Sequence, residues 1–289
     1  MKKLCKTIKE KQNLLLGKRV AISGSTGGIG RELCFYLAGM GASLVLLDRS
    51  KARSTALAEE LRACYPDTEI KHIYADLENI DEVKAAADAL ICENIDYLIL
   101  NAGAYSIPRH ECSSGHDNVF TINFVSPYYI ARRLLPTVTA NGGRIVAVGS
   151  IAHTYSQIDL QDIDFSTRKK ASLVYGNAKR HLMYAFFALD DRHLAVAHPG
   201  ITQTNITAHY PKLIYAIIKY PMRVIFMRPR RACLSILCAM FEECRDTEWI
   251  GPRLFDVWGL PKKRALRSCS QDEATTIAER AEKIYAEME

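Results

Sequence analysis

"KRVAISGSTGGIGREL", residues 18–33, is the stretch on which the fold turns. Its first six residues are a short apolar, β-branched run, and its last ones open a helical pattern that continues to Gly41. Between them Gly24, Gly28 and Gly30 stand in the spacing G-x-x-x-G-x-G, a variant of the dinucleotide-binding spacing G-x-G-x-x-G. A tight turn bare of side chains lets a pyrophosphate approach the backbone N–H groups of a helix N-terminus. Glycine-rich turns also occur in unrelated loops, so the placement matters more than the glycines. A turn directly after a strand, near the start of a domain, reads as a phosphate cradle formed by Gly24, Ser25, Thr26, Gly28, Ile29 and Gly30.

Further strands follow at regular intervals: "SLVLLD" (43–48), "IKHIY" (70–74), "DYLIL" (96–100), "RIVAVGS" (144–150) and "HLAVAH" (193–198). Several are apolar on consecutive residues, as strands covered on both faces are. Helical patterns such as "GRELCFYLAGMG" (30–41) and "DEVKAAADALICE" (81–93) fill the gaps. This alternation predicts an α/β fold, a Rossmann-type doubly wound parallel sheet in a single domain. Two segments break the rhythm, a polar insert at 151–174 and an apolar, aromatic stretch with spaced basic residues at 201–231. Ligands bind beyond the carboxyl ends of such strands, so these segments are expected to form the pocket walls and a C-terminal substrate lid. The chain is expected to divide into a basic N-terminal extension (1–16), a dinucleotide-binding catalytic domain (17–260) that includes the lid at about 201–231, and a C-terminal helical tail (261–289).

Composition narrows the function. With 289 residues, 48% hydrophobic and 24% charged, the chain can bury a sizeable core and is not disordered. A net charge of +6, with basic and acidic residues mixed, argues against nucleic acid as a partner. Nine cysteines without a CxxC pair or a zinc-like Cys/His spacing suit free thiols in a reducing compartment, and no metal is expected. No run is long and apolar enough for a signal peptide or a spanning helix, so a cytoplasmic location is expected. The stretch "KLIYAIIKYPMRVIFMRPRR" has the composition of an interfacial segment as well as of a lid, and the lid is the preferred reading.

At the adenine end, Asp48 closes the second strand, where a carboxylate accepts hydrogen bonds from ribose hydroxyls and repels a 2′-phosphate. Arg49 follows and favours that phosphate, so NAD is the expected cofactor with NADP as the alternative. Asp76, with Leu77 beside it, ends the third strand within reach of an adenine amino group. Asn101 is expected to brace the sheet edge after the fourth strand, while Ala102 and Gly103 leave room for the cofactor.

"SLVYGNAKRHL" (172–182) puts Tyr175 and Lys179 at i and i+4 on one helix face. An isolated pair of this kind is most often a core tyrosine beside a snorkelling lysine. The alternative is a phenol whose proton is easier to exchange beside a fixed positive charge.

"GSTGGIG", "ADL", "NAG", Asn123 in "FTINF", Ser150 in "VAVGS", "YGNAK" and "HPGITQT" together resemble, in order, the short-chain dehydrogenase/reductase family. The resemblance covers about residues 17 to 260, and the long Ser150–Tyr175 spacing is similar to the retinol-dehydrogenase and WW-domain-oxidoreductase-like branch. It implies an NAD(P)-dependent oxidoreductase interconverting a secondary alcohol and a ketone, or an aldehyde and an alcohol, on a small-molecule substrate that the branch suggests is bulky and apolar. It further implies Tyr175 as proton donor and acceptor, and Lys179 as the group that lowers its pKa and holds the nicotinamide ribose. Ser150 would orient the substrate oxygen and Asn123 hold a relay water. Pro199, Gly200 and Thr204 would flank the nicotinamide. Ala178 and Gly149 depart from common family residues at positions that carry no proton. The competing function is a nucleotide-binding sensor or scaffold of the same fold. Such relatives usually lack the tyrosine or the lysine, and both are present here.

"KRHLMYAFFALDD", after Tyr175, is apolar on nearly every side between Leu182 and Leu189. A helix covering a sheet needs only an apolar stripe. A homodimer packed about a two-fold axis is therefore expected, against the alternative that C-terminal helices near 232–243 cover the surface.

Overall fold

The computed structural model describes residues 1–10, 13–202, 227–244 and 247–289. In chain order the elements are α1 (Lys2–Glu10), β1 (Arg19–Ser23), α2 (Gly28–Gly39), β2 (Ser43–Asp48), α3 (Lys51–Cys64), β3 (Ile70–Tyr74), α4 (Ile80–Cys92) and β4 (Tyr97–Leu100). Next come α5 (Asn118–Phe120), a π-helical turn (Thr121–Val125), α6 (Ser126–Ala140), β5 (Arg144–Val148), a 3-10 turn (Ile151–Thr154), α7 (Ala171–Ala188) and β6 (Leu194–Ala197). α8 (Pro229–Phe241), β7 (Glu248–Leu254), β8 (Trp258–Ala265) and α9 (Gln271–Met288) complete the described chain.

The strands form one sheet in the order β3-β2-β1-β4-β5-β6-β7-β8. All neighbours run parallel except β8, which returns antiparallel to β7. Residues alternate between two cores with the period of two that a strand imposes. Ala21, Val45, Leu98 and Ala147 join the core under α4, α6, α7 and α9. Val20, Ile22, Leu44, Leu46 and Val146 join the one under α1, α2, α3 and α8.

Two expectations change. Residues 261–265, assigned to a helical tail, form the second half of β8, and only 271–288 are helical. The apolar surface of α7 meets α9 of the same chain. Leu182, Met183 and Phe186 share one core with Ile277, Ala281 and Ile284. The observation that suggested a two-fold partner is thus satisfied within the chain, and by α9, not by α8 at 229–241.

The basic N-terminal segment is also docked. Cys5 and Ile8 of α1 are buried in the α8 core while Lys2, Lys3 and Lys6 face outward. Cys233 and Cys238 are buried in α8, Cys244 beyond it is half-buried, and no disulfide forms among the described cysteines. Among the described residues no helix is long and apolar enough to cross a membrane.

Candidate active site

The glycine turn is built by close approach. Gly24 takes φ +67°, and a Cβ on Gly30 would stand 2.1 Å from the Gly24 carbonyl oxygen. Only hydrogen fits between the turn and the first coil of α2. Asn101 Nδ2 donates to the carbonyls of Ser23 (3.2 Å) and Gly24 (3.0 Å), and the Ala102 N–H donates to Ser23 Oγ at 3.1 Å. The ends of β1 and β4 are thereby stapled together, and Asn101 braces the edge as expected.

Helices α3, α4 and α9 are capped by the side chains of Ser50, Asn79 and Ser270. α2 has Gly27 at that place and no side-chain cap. Its first N–H groups remain to be satisfied from outside, and the positive helix end fits the pyrophosphate of a dinucleotide. Ser25 is buried, Thr26 and Ile29 are partly exposed, and Gly28 is exposed at the helix start.

Asp48 behaves differently from its sequence reading. It is 4% exposed, and its Oδ2 accepts from Ser25 Oγ and, at 2.9 Å, from Ser54 Oγ. Ser54 Oγ lies 2.9 Å from His72 Nδ1, so the carboxylate ends an internal chain of polar groups. Arg49 is the outward charge at this strand end, and its Nη1 donates to Asp76 Oδ2 at 3.3 Å. Asp76 also accepts from the Glu78 N–H, while the Leu77 carbonyl accepts from Ser126 Oγ at 2.6 Å.

The four residues expected to carry chemistry come from three segments: the π-helical turn, the chain just past the end of β5, and two positions one turn apart on α7. Asn123 lies in the π-helical turn, a local widening that often marks functional sites. It is fully buried; Nδ2 donates to the carbonyls of Ala104 and Val119, both at 2.8 Å, and Oδ1 accepts from the Ala104 N–H at 3.3 Å. Its amide therefore holds the chain just past Gly103. A Cβ on Gly103 would sit 2.8 Å from Asn123 Oδ1 and 3.7 Å from Lys179 Nζ, which places all three at one point.

Ser150 leaves β5 and caps the 3-10 turn, its Oγ accepting from the Ala152 N–H at 3.2 Å. Burial pushes the Tyr175 hydroxyl up to about 12, and a hydrogen bond with Ser150 pulls it the other way. The Tyr105 ring stands edge-on to Tyr175 at 5.3 Å. Lys179 is buried, its Nζ donates to the Val148 carbonyl at 2.9 Å, and burial lowers its pKa to about 7. Nζ lies 5.7 Å from the Tyr175 ring centre. The pair does share a helix face, but burial dominates at Tyr175 and the opposing pull comes from Ser150, where the sequence led us to expect it from Lys179.

Pro199 and Gly200 are buried in the turn after β6, and Gly200 takes φ +86°. Thr204 lies outside the described residues, as do residues 203–226 of the 201–231 stretch read as a lid. The two ends of that segment meet, with the Met227 N–H donating to the Ile201 carbonyl at 2.9 Å. The polar insert forms a cavity of about 410 Å³ lined by Tyr155, Gln157, Ile158, Leu160, Phe165 and Leu173, beside the start of the Tyr175 helix.

A family model for short chain dehydrogenases matches residues 18–162, half of the chain. The chain belongs to the short-chain dehydrogenase family. It is an NAD(P)-dependent oxidoreductase, with sequence similarity to the retinol-dehydrogenase branch. Retinol dehydrogenase 13 of Homo sapiens is 26% identical over 203 residues, 67% of this chain and 61% of that protein, so the match spans less than two thirds of it. Retinol dehydrogenase 12 of Homo sapiens is 25% identical over 262 residues, 83% of this chain and 81% of that protein. The crystal structure of an uncharacterized protein from Mycobacterium Paratuberculosis has the same fold, with a TM-score of 0.76 at 22% identity over 96% of this chain and 97% of that one.

One support of this dehydrogenase site went unread in the sequence. Arg180, the residue after Lys179, is 2% exposed and grips Glu273 of α9 through Nε (2.7 Å) and Nη2 (2.6 Å). Its Nη1 donates to the His153 carbonyl at 2.7 Å, within the turn that Ser150 caps. Glu273 Oε1 also accepts from the Ile158 N–H at 3.0 Å. A signal was present: Ser270 and Glu273 form the S-x-x-E pattern that opens a helix, and Ser270 Oγ accepts from the Glu273 N–H at 3.2 Å. His153 and His198 flank Trp249, at 5.8 and 5.7 Å between ring centres, and burial lowers His198 to about 4.

Proposed function

We propose that the chain interconverts an alcohol and its carbonyl compound, a secondary alcohol and ketone or a primary alcohol and aldehyde, with Tyr175 as the proton carrier. The observation that carries this reading is the convergence of Asn123, Ser150, Tyr175 and Lys179 beside a glycine cradle whose helix lacks a side-chain cap. When bound, the nicotinamide supplies or accepts the hydride. Tyr175 gives its hydroxyl proton to the carbonyl oxygen during reduction and takes it back during oxidation. Ser150 orients the same oxygen by a hydrogen bond. Lys179 holds the ribose and fixes positive charge on the Tyr175 side of the site. Asn123 acts as a positioning residue, holding the backbone at Ala104. Gly24, Ser25, Thr26, Gly28, Ile29 and Gly30 hold the pyrophosphate, Asp76 and Leu77 the adenine, and Pro199, Gly200 and Thr204 the nicotinamide end.

A bulky apolar alcohol is the favoured substrate class, supported by the names of the retinol dehydrogenase relatives and by the apolar composition of 201–231. Both NAD(H) and NADP(H) are accommodated in this reading. Burial of Asp48 against Ser25 and Ser54 weakens its repulsion of a 2′-phosphate, and Arg49 offers the exposed cation there.

Nucleotide turnover against a panel of alcohols and carbonyl compounds tests the assignment. Tyr175→Phe should abolish turnover and leave nucleotide affinity nearly intact, because it removes the proton without removing the ring. Turnover within a few-fold of the parent would sink Tyr175's role. A chain that binds nucleotide but converts nothing on the panel would favour the sensor reading.

A further inference from the structure

Where the turn from β3 to α4 meets the loop leaving β4, three side chains of different donor chemistry converge. Glu78 belongs to the turn; His110 and Cys112 belong to the loop. One ligand atom from each lies within 4.8 Å of the other two, and Glu78 Oε2 is 2.9 Å from His110 Nε2. The backbone holds all three carriers. The Glu78 N–H donates to Asp76 Oδ1 at 3.1 Å, the Cys112 N–H to the His116 carbonyl at 2.8 Å, and the Asn118 N–H to the His110 carbonyl at 3.0 Å.

We propose that Glu78, His110 and Cys112 form a three-ligand site for a zinc-class divalent cation, with water in the fourth position. A mixed oxygen, nitrogen and sulfur set suits zinc, whereas magnesium and calcium call for oxygen throughout. The Glu78 carboxylate brings negative charge to the point where the imidazole and the thiol converge, which favours a bound cation.

The protons balance without any redox step. Cys112 releases its thiol proton to solvent as the sulfur–metal bond forms. Asn118 Nδ2 lies 3.2 Å from His110 Nδ1 and 3.0 Å from the Pro108 carbonyl, which places the ring proton on Nε2, facing Glu78. Binding at Nε2 transfers that proton to Nδ1, and the Asn118 amide turns so that its oxygen accepts from Nδ1–H. Asn118 Oδ1 is buried and has no hydrogen-bond partner among the described residues. The turn gives it one but takes Nδ2 off the Pro108 carbonyl, so the bonds to the cation must outweigh that loss; the turned amide then sets the metal-bound imidazole as outer partners do. The bound cation would pin the loop to the turn carrying Asp76, at the adenine end of the cradle.

The test uses the intact protein, stripped with chelator, kept reduced, and dialysed against Zn²⁺ or Co²⁺ alone. One equivalent of zinc, a zinc-dependent rise in Tm and a thiolate-to-cobalt charge-transfer band are expected. Cys112→Ser should lose the band, and both Cys112→Ser and His110→Gln should lose the zinc equivalent. Cys64→Ser, at an exposed thiol elsewhere, should keep both. His110 is exposed, so His110→Gln decides the matter should Cys112→Ser fail to fold. Failure to take up an equivalent of zinc, or uptake that survives His110→Gln, overturns the proposal.

Discussion

Lys179 meets two demands that pull its proton in opposite directions: burial favours the amine, and the proposed chemistry favours the ammonium. In the folded chain its pKa falls to about 7 from an ordinary 10.5. Between those values the unfolded chain binds a proton that the folded chain lacks, so this residue's contribution to stability rises with pH. Below pH 7 both states carry the charge, and the folded state bears the full cost of burying it. Lys179→Met should therefore raise the Tm of the cofactor-free protein most at pH 6, with the gain fading by pH 10. Thermal melts across that range check this, and an equal gain at every pH would refute the assignment. At the adenine end, Arg49→Ser should lower kcat/KM for NADP(H) by about tenfold or more, the scale of a hydrogen bond to a charged group, and spare NAD(H). An equal loss with both nucleotides would show that Arg49 does not meet the 2′-phosphate. Residue types and their order were legible in the sequence here; orientation was not. Whether Asp48 faces the ribose or the interior depends on Ser25 and Ser54, which reach it from two other segments.

Among the elements, α7 and the 3-10 turn after β5 bring Tyr175 and Ser150 together, and Gly176 permits their approach. A Cβ on Gly176 would stand 2.4 Å from the Ala152 carbonyl oxygen, a backbone atom that cannot swing aside. Gly176→Ala should cost about 1–3 kcal/mol by overpacking and reduce kcat more than nucleotide affinity, since the turn carrying Ser150 must shift. Denaturant melts beside steady-state kinetics measure both, and unchanged kcat would separate this contact from catalysis. Six strands could be read because several are apolar over consecutive residues and all alternate with helical patterns. β7 and β8 could not. "EWIGPRL" and "WGLPKKRA" carry Pro252 and Pro261, which normally demote a strand. The two prolines face each other in the register of this last pair, at the sheet's edge, where a missing N–H is tolerated.

At the scale of the whole molecule, the Arg180–Glu273 pair ties α7 to α9. Removing one partner leaves a buried charge without its counterion. Glu273→Gln should destabilise the protein by about 3–5 kcal/mol. Urea unfolding would register this as a lower midpoint, and a loss well under 1 kcal/mol would mean that Arg180 finds another acceptor. The sequence pattern marked the surface of α7 as needing cover; it could not say which helix supplies it, because that contact joins segments far apart in the chain.

That distance also sets an order of events at the ribosome. α7 leaves the exit tunnel with a bare apolar side, and Arg180 must wait for Glu273. Translation of the roughly 80 intervening residues takes on the order of 4–16 s at usual rates. Throughout that interval the nascent chain carries an uncovered helix, and Arg180, which holds the His153 carbonyl, gains its counterion only after α9 has been made.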